Sequence, residues 1–98
     1  MKVITVCGSM KFYKEMLEIA EKMKLKGNCV LVPIASSLKK TFTADEIEIL
    51  GKMHKEKIKI ANAILVVNID GYIGQSTQQE IVFAQSLNKE IMYYTDLL

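Results

Sequence analysis

The chain contains no arginine, because all 13 of its basic residues are lysines. It therefore has no guanidinium groups to make bidentate contacts with a guanine base or a phosphate. The net charge is only +2, and the lysines between residues 11 and 26 are interleaved with acidic residues, which is typical of a solvated helix face. We therefore expect no nucleic-acid partner.

Long hydrophobic runs are also missing, since no segment approaches the roughly 20 apolar residues that span a bilayer. The first seven residues are too few for a signal peptide and have the pattern of a strand. We expect no membrane partner and a cytoplasmic location.

Cysteine and histidine are scarce: Cys7 and Cys29 lie in apolar, strand-like runs, and His54 is the single histidine. The two cysteines have no metal-ligand spacing, and a reducing cytosol does not favour a disulfide. We expect both to be buried free thiols, with no metal site and no cofactor. A catalytic thiol at Cys7 is not favoured, because no histidine is near it in sequence.

The length of 98 residues corresponds to one domain, and half of the residues are hydrophobic, so the chain should fold. A chain of this size buries a smaller share of its surface than a large protein does. We therefore expect a single domain over residues 1–98 that associates as a homodimer or a higher homo-oligomer.

Apolar, β-branched runs alternate with segments of helical periodicity. Thr43 and Glu46 have capping-box spacing at a helix start, and Gly51 is a point where that helix can divide, because glycine destabilises a helix interior. A loop is predicted at residues 34–43. The predicted strands are residues 2–7, 29–32, 63–68 and 90–95, and the predicted helices are residues 12–26, 44–61 and 78–87.

This βαβαβαβ order predicts an α/β fold in which helices cover both faces of a four-stranded parallel sheet, a three-layer sandwich. The expected strand order is 2-1-3-4, with right-handed crossovers. That order reverses between strands 1 and 3, and ligands bind at such a switch point. The loops after Cys7 and Val67 should therefore face each other across one crevice.

In the first of these loops, Gly8 permits a tight turn, and Ser9 can cap the following helix, whose N-terminus attracts anions. One glycine does not make the dinucleotide-binding fingerprint, which has three. The loop is either a ligand-binding turn or a helix cap without a ligand.

The second loop and the helix after it, residues 68–84, are more informative. Gly74, Ser76 and Thr77 precede a predicted helix and expose backbone N–H groups suited to a phosphate or a sugar hydroxyl. Glu80 follows in the first helical turn, where a carboxylate can act as a nucleophile or a base at an electrophilic carbon. Thr77 and Glu80 also have capping-box spacing, so a purely structural role for Glu80 stays open.

Four further residues have two interpretations each. Asp70 either binds sugar hydroxyls or initiates an Asx turn with Gly71. His54 shares a helix face with apolar neighbours, so it is either a partly buried core residue or a general acid for a leaving base. Tyr13 and Tyr72 flank the predicted crevice, where an aromatic ring can stack on a nucleobase or only pack against the loop.

Three segments together resemble the nucleoside 2-deoxyribosyltransferase-like family, which includes deoxynucleoside monophosphate N-glycosidases. They are Cys-Gly-Ser at residues 7–9, Ala-Asn-Ala-Ile-Leu-Val-Val-Asn at 61–68 and Gly-Tyr-Ile-Gly-x-Ser-Thr-x-x-Glu-Ile at 71–81. The resemblance covers most of the chain. It implies a flavodoxin-like, Rossmann-like fold and cleavage of the N-glycosidic bond of a 2-deoxynucleoside or its monophosphate. It also implies that Glu80 is the nucleophile at the anomeric carbon, as in retaining glycosidases, and that the protein is a dimer or larger.

The chain departs from the family pattern at three places. Thr5 stands where family enzymes often have a tyrosine, and His54 aligns with their usual aspartate before strand 3. The arginine in the phosphate loop of the monophosphate hydrolases is missing. Lys11 is the candidate to replace it, as a point charge without the bidentate fork.

From the residues and the resemblance together, we predict an enzyme that cleaves or transfers at the N-glycosidic bond of a 2-deoxyribonucleoside or its 5'-monophosphate. The predicted catalytic residues are Glu80, His54 and Asp70. The alternative is a non-catalytic nucleotide-binding module, acting as a sensor or a sequestering protein. The predicted substrate-binding residues are Cys7, Gly8, Ser9, Lys11, Tyr13, Tyr72, Gly74, Ser76 and Thr77.

Overall fold

Four short apolar runs form one parallel sheet in the order β2-β1-β3-β4. The predicted order 2-1-3-4 and the α/β class are therefore confirmed. Every strand is slightly shorter than its predicted range, because pairing with the neighbouring strands begins at Val3 and ends at Leu31, Val66 and Tyr93. The strands are β1 (Val3–Cys7), β2 (Cys29–Leu31), β3 (Ala63–Val66) and β4 (Glu90–Tyr93).

Three helices connect the strands in the computed structural model, which describes residues 1–34 and 41–98. They are α1 (Tyr13–Leu25), α2 (Ala44–Ile60) and α3 (Gln75–Ser86). Residues 35–40 of the predicted loop at 34–43 lie outside the described residues. No described helix has the length and apolar character needed to cross a membrane.

Local sequence signals explain most of the helix ends. Thr43 and Glu46 form the predicted capping box at the start of α2, each accepting a hydrogen bond from the backbone N–H of the other. Past α1, Gly27 adopts φ +95°, and past α3, Asn88 adopts φ 58°. Both lie in the left-handed region that ends helices, which glycine adopts without strain and asparagine tolerates.

Two helix predictions are wrong. Helix α2 continues through Gly51 without a break, because the capping box and the packing of its inner face outweigh the cost of one glycine. Helix α3 begins at Gln75 rather than at residue 78, and its N-cap is Gly74. The backbone N–H of Gln78 donates to the carbonyl of Gly74, which makes Ser76 and Thr77 helical residues.

The two faces of the sheet have separate cores, because alternate residues of each strand point to opposite sides. The core on the side of α1, the α1-side core, contains Ile4, Val6, Met16, Ile19, Ala20, Val30, Leu65 and Val67. The core on the other side, the α2/α3-side core, contains Cys7, Ile58, Ile64, Val66, Ile81 and Ala84. Each core is closed by helices, as the predicted three-layer sandwich requires.

The two cysteines are free, as predicted, but they differ in burial. Cys7 is buried on the central strand β1, whereas Cys29 is exposed. The prediction that Cys29 is buried is wrong because β2 is an edge strand. An apolar run of three residues does not reveal such a position.

Candidate active site

The loops after β1 and β3 meet at the carboxyl edge of the sheet, as the switch-point argument predicts. The backbone N–H of Val67 donates to the carbonyl of Cys7 over 2.8 Å. A Cβ atom at Gly8 would lie 3.2 Å from both the sulfur of Met16 and the carbonyl oxygen of Val67. Gly8 is therefore required for the close packing of the two loops.

A cavity of about 930 Å³ opens at this edge. Its lining includes the turn at Gly8 and Ser9, the start of α3 at Gly74, Ser76 and Thr77, and one side of α2. This volume is in the range of small-molecule sites. The structure thus brings most of the predicted binding residues to one cavity, and their roles toward a substrate stay predictions.

Glu80 faces this cavity from the second turn of α3, not from the first turn as the sequence predicts. Because Gly74 is the N-cap, the predicted capping box between Thr77 and Glu80 is absent. Thr77 is instead buried, with 3% of its surface exposed. Capping of α3 therefore does not explain the position of Glu80.

His54 lies opposite Glu80 on α2, with its Nε2 atom 3.5 Å from Glu80 Oε1. The side chain of His54 is 13% exposed and that of Glu80 is 26% exposed, so both are largely desolvated. His54 reaches the cavity although α2 is unbroken at Gly51. Its Nδ1 atom is buried and has no hydrogen-bond partner among the described residues.

Cys7 lies beneath this pair, with its Sγ atom 3.5 Å from His54 Nε2. Burial raises the pKa of the Cys7 thiol well above its ordinary value, and the charge of Glu80 and a hydrogen bond to it raise the pKa further. A raised pKa favours the neutral thiol over the nucleophilic thiolate. The structure nevertheless places a histidine beside Cys7, which the sequence does not show.

A buried threonine, Thr5, fixes helix α2 to the sheet. In the sequence, Thr5 is notable only as a departure from the family pattern. The Thr5 hydroxyl donates to the carbonyl of Lys57 over 2.8 Å. The last four carbonyls of a helix have no partner within it, and Lys57 supplies one of them. The ammonium of Lys57 donates to the carbonyl of Val32 over 2.9 Å. These bonds hold the end of α2 in place. They also position His54, which lies one helical turn before Lys57.

The rim of the cavity combines an aromatic ring with a cation. Tyr72 lines the cavity, and the Lys11 ammonium lies 3.4 Å from the centroid of its ring. Phe12 packs against Tyr72 edge to face, with the ring centroids 5.9 Å apart. The Ser9 hydroxyl accepts from the backbone N–H of Lys11 and so caps the short 3-10 turn Met10–Phe12. The prediction that Ser9 caps α1 is wrong, because the N-cap of α1 is Phe12.

Four predicted site residues are not among those that line the cavity: Cys7, which lies beneath it, Lys11, which lies at its rim, and Asp70 and Tyr13. Asp70 is exposed, in a short 3-10 turn at Ile69–Gly71, and adopts φ 54°. Tyr13 packs against the α1-side core. The expectation that Asp70 and Tyr13 face the crevice is therefore wrong, because the turn directs Asp70 outward and the start of α1 rotates Tyr13 inward.

Sequence reasoning missed an apolar wall of the cavity. It consists of Ile47, Leu50 and Met53 on α2, together with Phe83 on α3. Ile47 and Met53 are 59% and 41% exposed, so they lie on a side of α2 that does not pack on the sheet. Apolar residues outside the sheet-facing stripe of α2 were the available signal.

No protein-family model and no curated protein matches this sequence. Among solved structures, the chain is similar to a 2-deoxyribosyltransferase from Leishmania mexicana, with a TM-score of 0.69 and 19% sequence identity. The similarity covers 96% of this chain but 64% of that protein, so the chain spans less than two thirds of its length. At this identity the similarity establishes the fold, and the chain therefore has a nucleoside 2-deoxyribosyltransferase-like fold.

Proposed function

We propose that the protein cleaves or transfers at the N-glycosidic bond of a 2-deoxyribonucleoside or its 5'-monophosphate. One observation carries the proposal: Glu80 and His54 meet at 3.5 Å beside a cavity at the carboxyl edge of the sheet. A carboxylate and an imidazole are the two groups that nucleophilic cleavage with a protonated leaving group requires. The fold shared with a deoxyribosyltransferase supports the choice of substrate.

In the proposed first step, an oxygen of Glu80 attacks the anomeric carbon, and the bond to the base nitrogen breaks. The base leaves with the bonding electrons, and His54 supplies a proton to it, so that a glycosyl ester of Glu80 remains. In the second step, water or another base attacks the same carbon and releases Glu80. The first acceptor gives hydrolysis, and the second gives transfer.

Binding would divide between the two ends of the cavity. The apolar wall at Leu50 and Phe83 is suited to the flat face of a nucleobase. The N-terminus of α3 at Gly74 presents backbone N–H groups, which favour a sugar hydroxyl or a phosphate. Lys11 lies at the rim over the ring of Tyr72, and Lys55 and Lys57 line the cavity as further positive charges.

Self-association stays a prediction, and the exposed apolar side of α2 at Ile47 and Met53 favours it. We expect a homodimer or a larger oligomer in sedimentation equilibrium at micromolar concentration. A monomer under these conditions would contradict this expectation but not the proposed chemistry.

The reaction is tested by incubating the folded protein, in excess, with each deoxynucleoside and each deoxynucleoside monophosphate. We expect free base in chromatography from at least one of them. Acid quenching followed by peptide mass spectrometry should then find a deoxyribosyl adduct on the peptide that contains Glu80. If no substrate releases base, the proposed activity is wrong.

The alternative is a nucleotide-binding module without turnover. Two observations favour it: Asp70, a predicted catalytic residue, lies outside the cavity, and the chain has no arginine. This alternative predicts that a nucleotide raises the melting temperature without base release, and that Glu80→Ala leaves the nucleotide affinity unchanged. Isothermal titration calorimetry on both proteins measures this difference.

A further inference from the structure

Three side chains with different metal-ligand chemistry meet at one point below the cavity floor. They come from three separate elements: Cys7 from the end of β1, His54 from α2 and Glu80 from α3. The Cys7 Sγ and the Glu80 Oε1 are each 3.5 Å from the same nitrogen, His54 Nε2. All three ligand atoms lie within 4.8 Å of one another.

Two of these separations match the edges of a zinc coordination tetrahedron. Zinc binds thiolate at about 2.3 Å and imidazole nitrogen or carboxylate oxygen at about 2.0–2.2 Å, which gives tetrahedral edges of about 3.5 Å for S···N and about 3.4 Å for N···O. The structure has 3.5 Å for both contacts. The Cys7 Sγ and the Glu80 Oε1, which lie within 4.8 Å of each other, would approach to about 3.6 Å around a bound ion. One cation could therefore bind all three atoms after this movement.

We propose that Cys7, His54 and Glu80 form a site for Zn²⁺, with a fourth coordination position that opens to the cavity. A soft sulfur, an imidazole and a carboxylate suit zinc, whereas Mg²⁺ and Ca²⁺ require oxygen ligands. The thiolate and the carboxylate together carry two negative charges, which neutralise the dication. The Cys7 thiol releases its proton to solvent as the sulfur–zinc bond forms.

The exposure of the three ligands decreases from the cavity inward. Glu80 and His54 are 26% and 13% exposed at the cavity, whereas Cys7 is fully buried beneath them. An ion would meet the carboxylate and the imidazole first and the sulfur last. Three protein ligands and one open position are the pattern of catalytic zinc sites, whereas structural zinc has four protein ligands.

Zinc at this site would have one consequence that rests on the proposed function. The bound oxygen of Glu80 could no longer attack an anomeric carbon, so Zn²⁺ would inhibit base release. The metal site itself is independent of that reaction, because it requires only the three ligand atoms.

Binding is tested on the metal-free protein with Co²⁺, which takes the zinc geometry and absorbs light. We expect one equivalent of Co²⁺ to give visible bands of tetrahedral cobalt and a near-ultraviolet thiolate charge-transfer band, both removed by Zn²⁺. Cys7→Ser should abolish the charge-transfer band. His54→Gln and Glu80→Gln should each weaken Zn²⁺ binding by more than the about 10–100-fold that loss of an outer partner causes.

Cys29→Ser is the matched control, because Cys29 pairs with Val3 at the opposite end of β1, about 13 Å from Cys7 along the strand. It should leave both bands unchanged, and circular dichroism checks that every variant is folded. Absence of the bands in the native protein would overturn the proposal, as would a charge-transfer band lost in Cys29→Ser instead of Cys7→Ser. Since no nucleoside is present, failure of the proposed enzymatic function would leave these results unaffected.

Discussion

The two faces of the sheet use the same strands in different ways. On the α1 side, β1 contributes Ile4 and Val6 to an entirely apolar buried cluster. On the opposite side, the same strand contributes Thr5 and Cys7, both fully buried. One face is thus built for packing alone, and the other places polar atoms under a cavity.

The difference shows that a strand with a mostly apolar sequence can contribute to a site on one of its two faces. Thr5 fixes the end of α2 through the Lys57 carbonyl, and Cys7 contacts His54 at 3.5 Å. Buried polar groups need partners, and here the partners belong to the helices that line the cavity. Variants on the two faces should therefore fail in different ways, on the α1 side in stability and on the α2/α3 side in activity.

Glu80→Gln should give the largest difference between the effect on activity and the effect on stability. This change keeps the side-chain shape and removes the nucleophilic charge, so base release should fall by at least about 10³-fold. Stability should change by less than about 1 kcal/mol, because Glu80 is partly exposed and its ion pair with His54 requires a protonated imidazole. Product chromatography and urea denaturation measure the two quantities.

Glu48→Gln is the matched control for this substitution, since Glu48 lies on the exposed surface of α2 in an ion pair with Lys52. It should retain full activity. Equal activity of Glu80→Gln and Glu48→Gln would remove the distinction between the two faces, because Glu80 would then have no chemical role.

The opposite result, a loss of stability without a loss of specific activity, is expected from Met16→Ala on the α1 side. Met16 is fully buried in the α1-side core, and its truncation should lower the free energy of unfolding by about 2–5 kcal/mol. Leu17→Ala, at a neighbouring position that is 44% exposed, should cost much less. If the folded fraction of Met16→Ala also lost specific activity, the α1 side would be part of the site and the comparison would not hold.

The sequence predicts the sheet and the two loops well, because periodicity and strand order depend on local patterns. It marks Gly51 as a point where the helix can divide and leaves His54 open between a core residue and a site residue, whereas the structure brings His54 to the cavity on a continuous helix. The contact between Cys7 and His54 joins residues 47 positions apart, and no spacing rule reveals it. The errors at Asp70 and Tyr13 arise locally, because periodicity does not show how a turn or a helix start orients a side chain.

A smaller effect is expected from Thr5→Val, which conserves volume but leaves the Lys57 carbonyl without its donor. An unsatisfied buried carbonyl costs about 1–3 kcal/mol, and urea denaturation should show a loss in this range. Thr5→Ser retains the hydroxyl and should lose less. Stability unchanged in Thr5→Val would mean that α2 does not depend on this bond, and the α2/α3 side would then resemble the α1 side.

The smallest effect is expected from Gly51→Ala, which tests whether α2 is a rigid support for His54. A Cβ atom at Gly51 meets nothing within 4 Å, and alanine is favoured over glycine in a helix interior by about 1 kcal/mol. The melting temperature should therefore rise by about 4–8 °C, as differential scanning calorimetry measures, whereas exposed Lys52→Ala should change it little. A decrease in the melting temperature of Gly51→Ala would indicate that α2 bends at this glycine. His54 would then move relative to Glu80, and the α2/α3 side would be flexible whereas the α1 side is fixed.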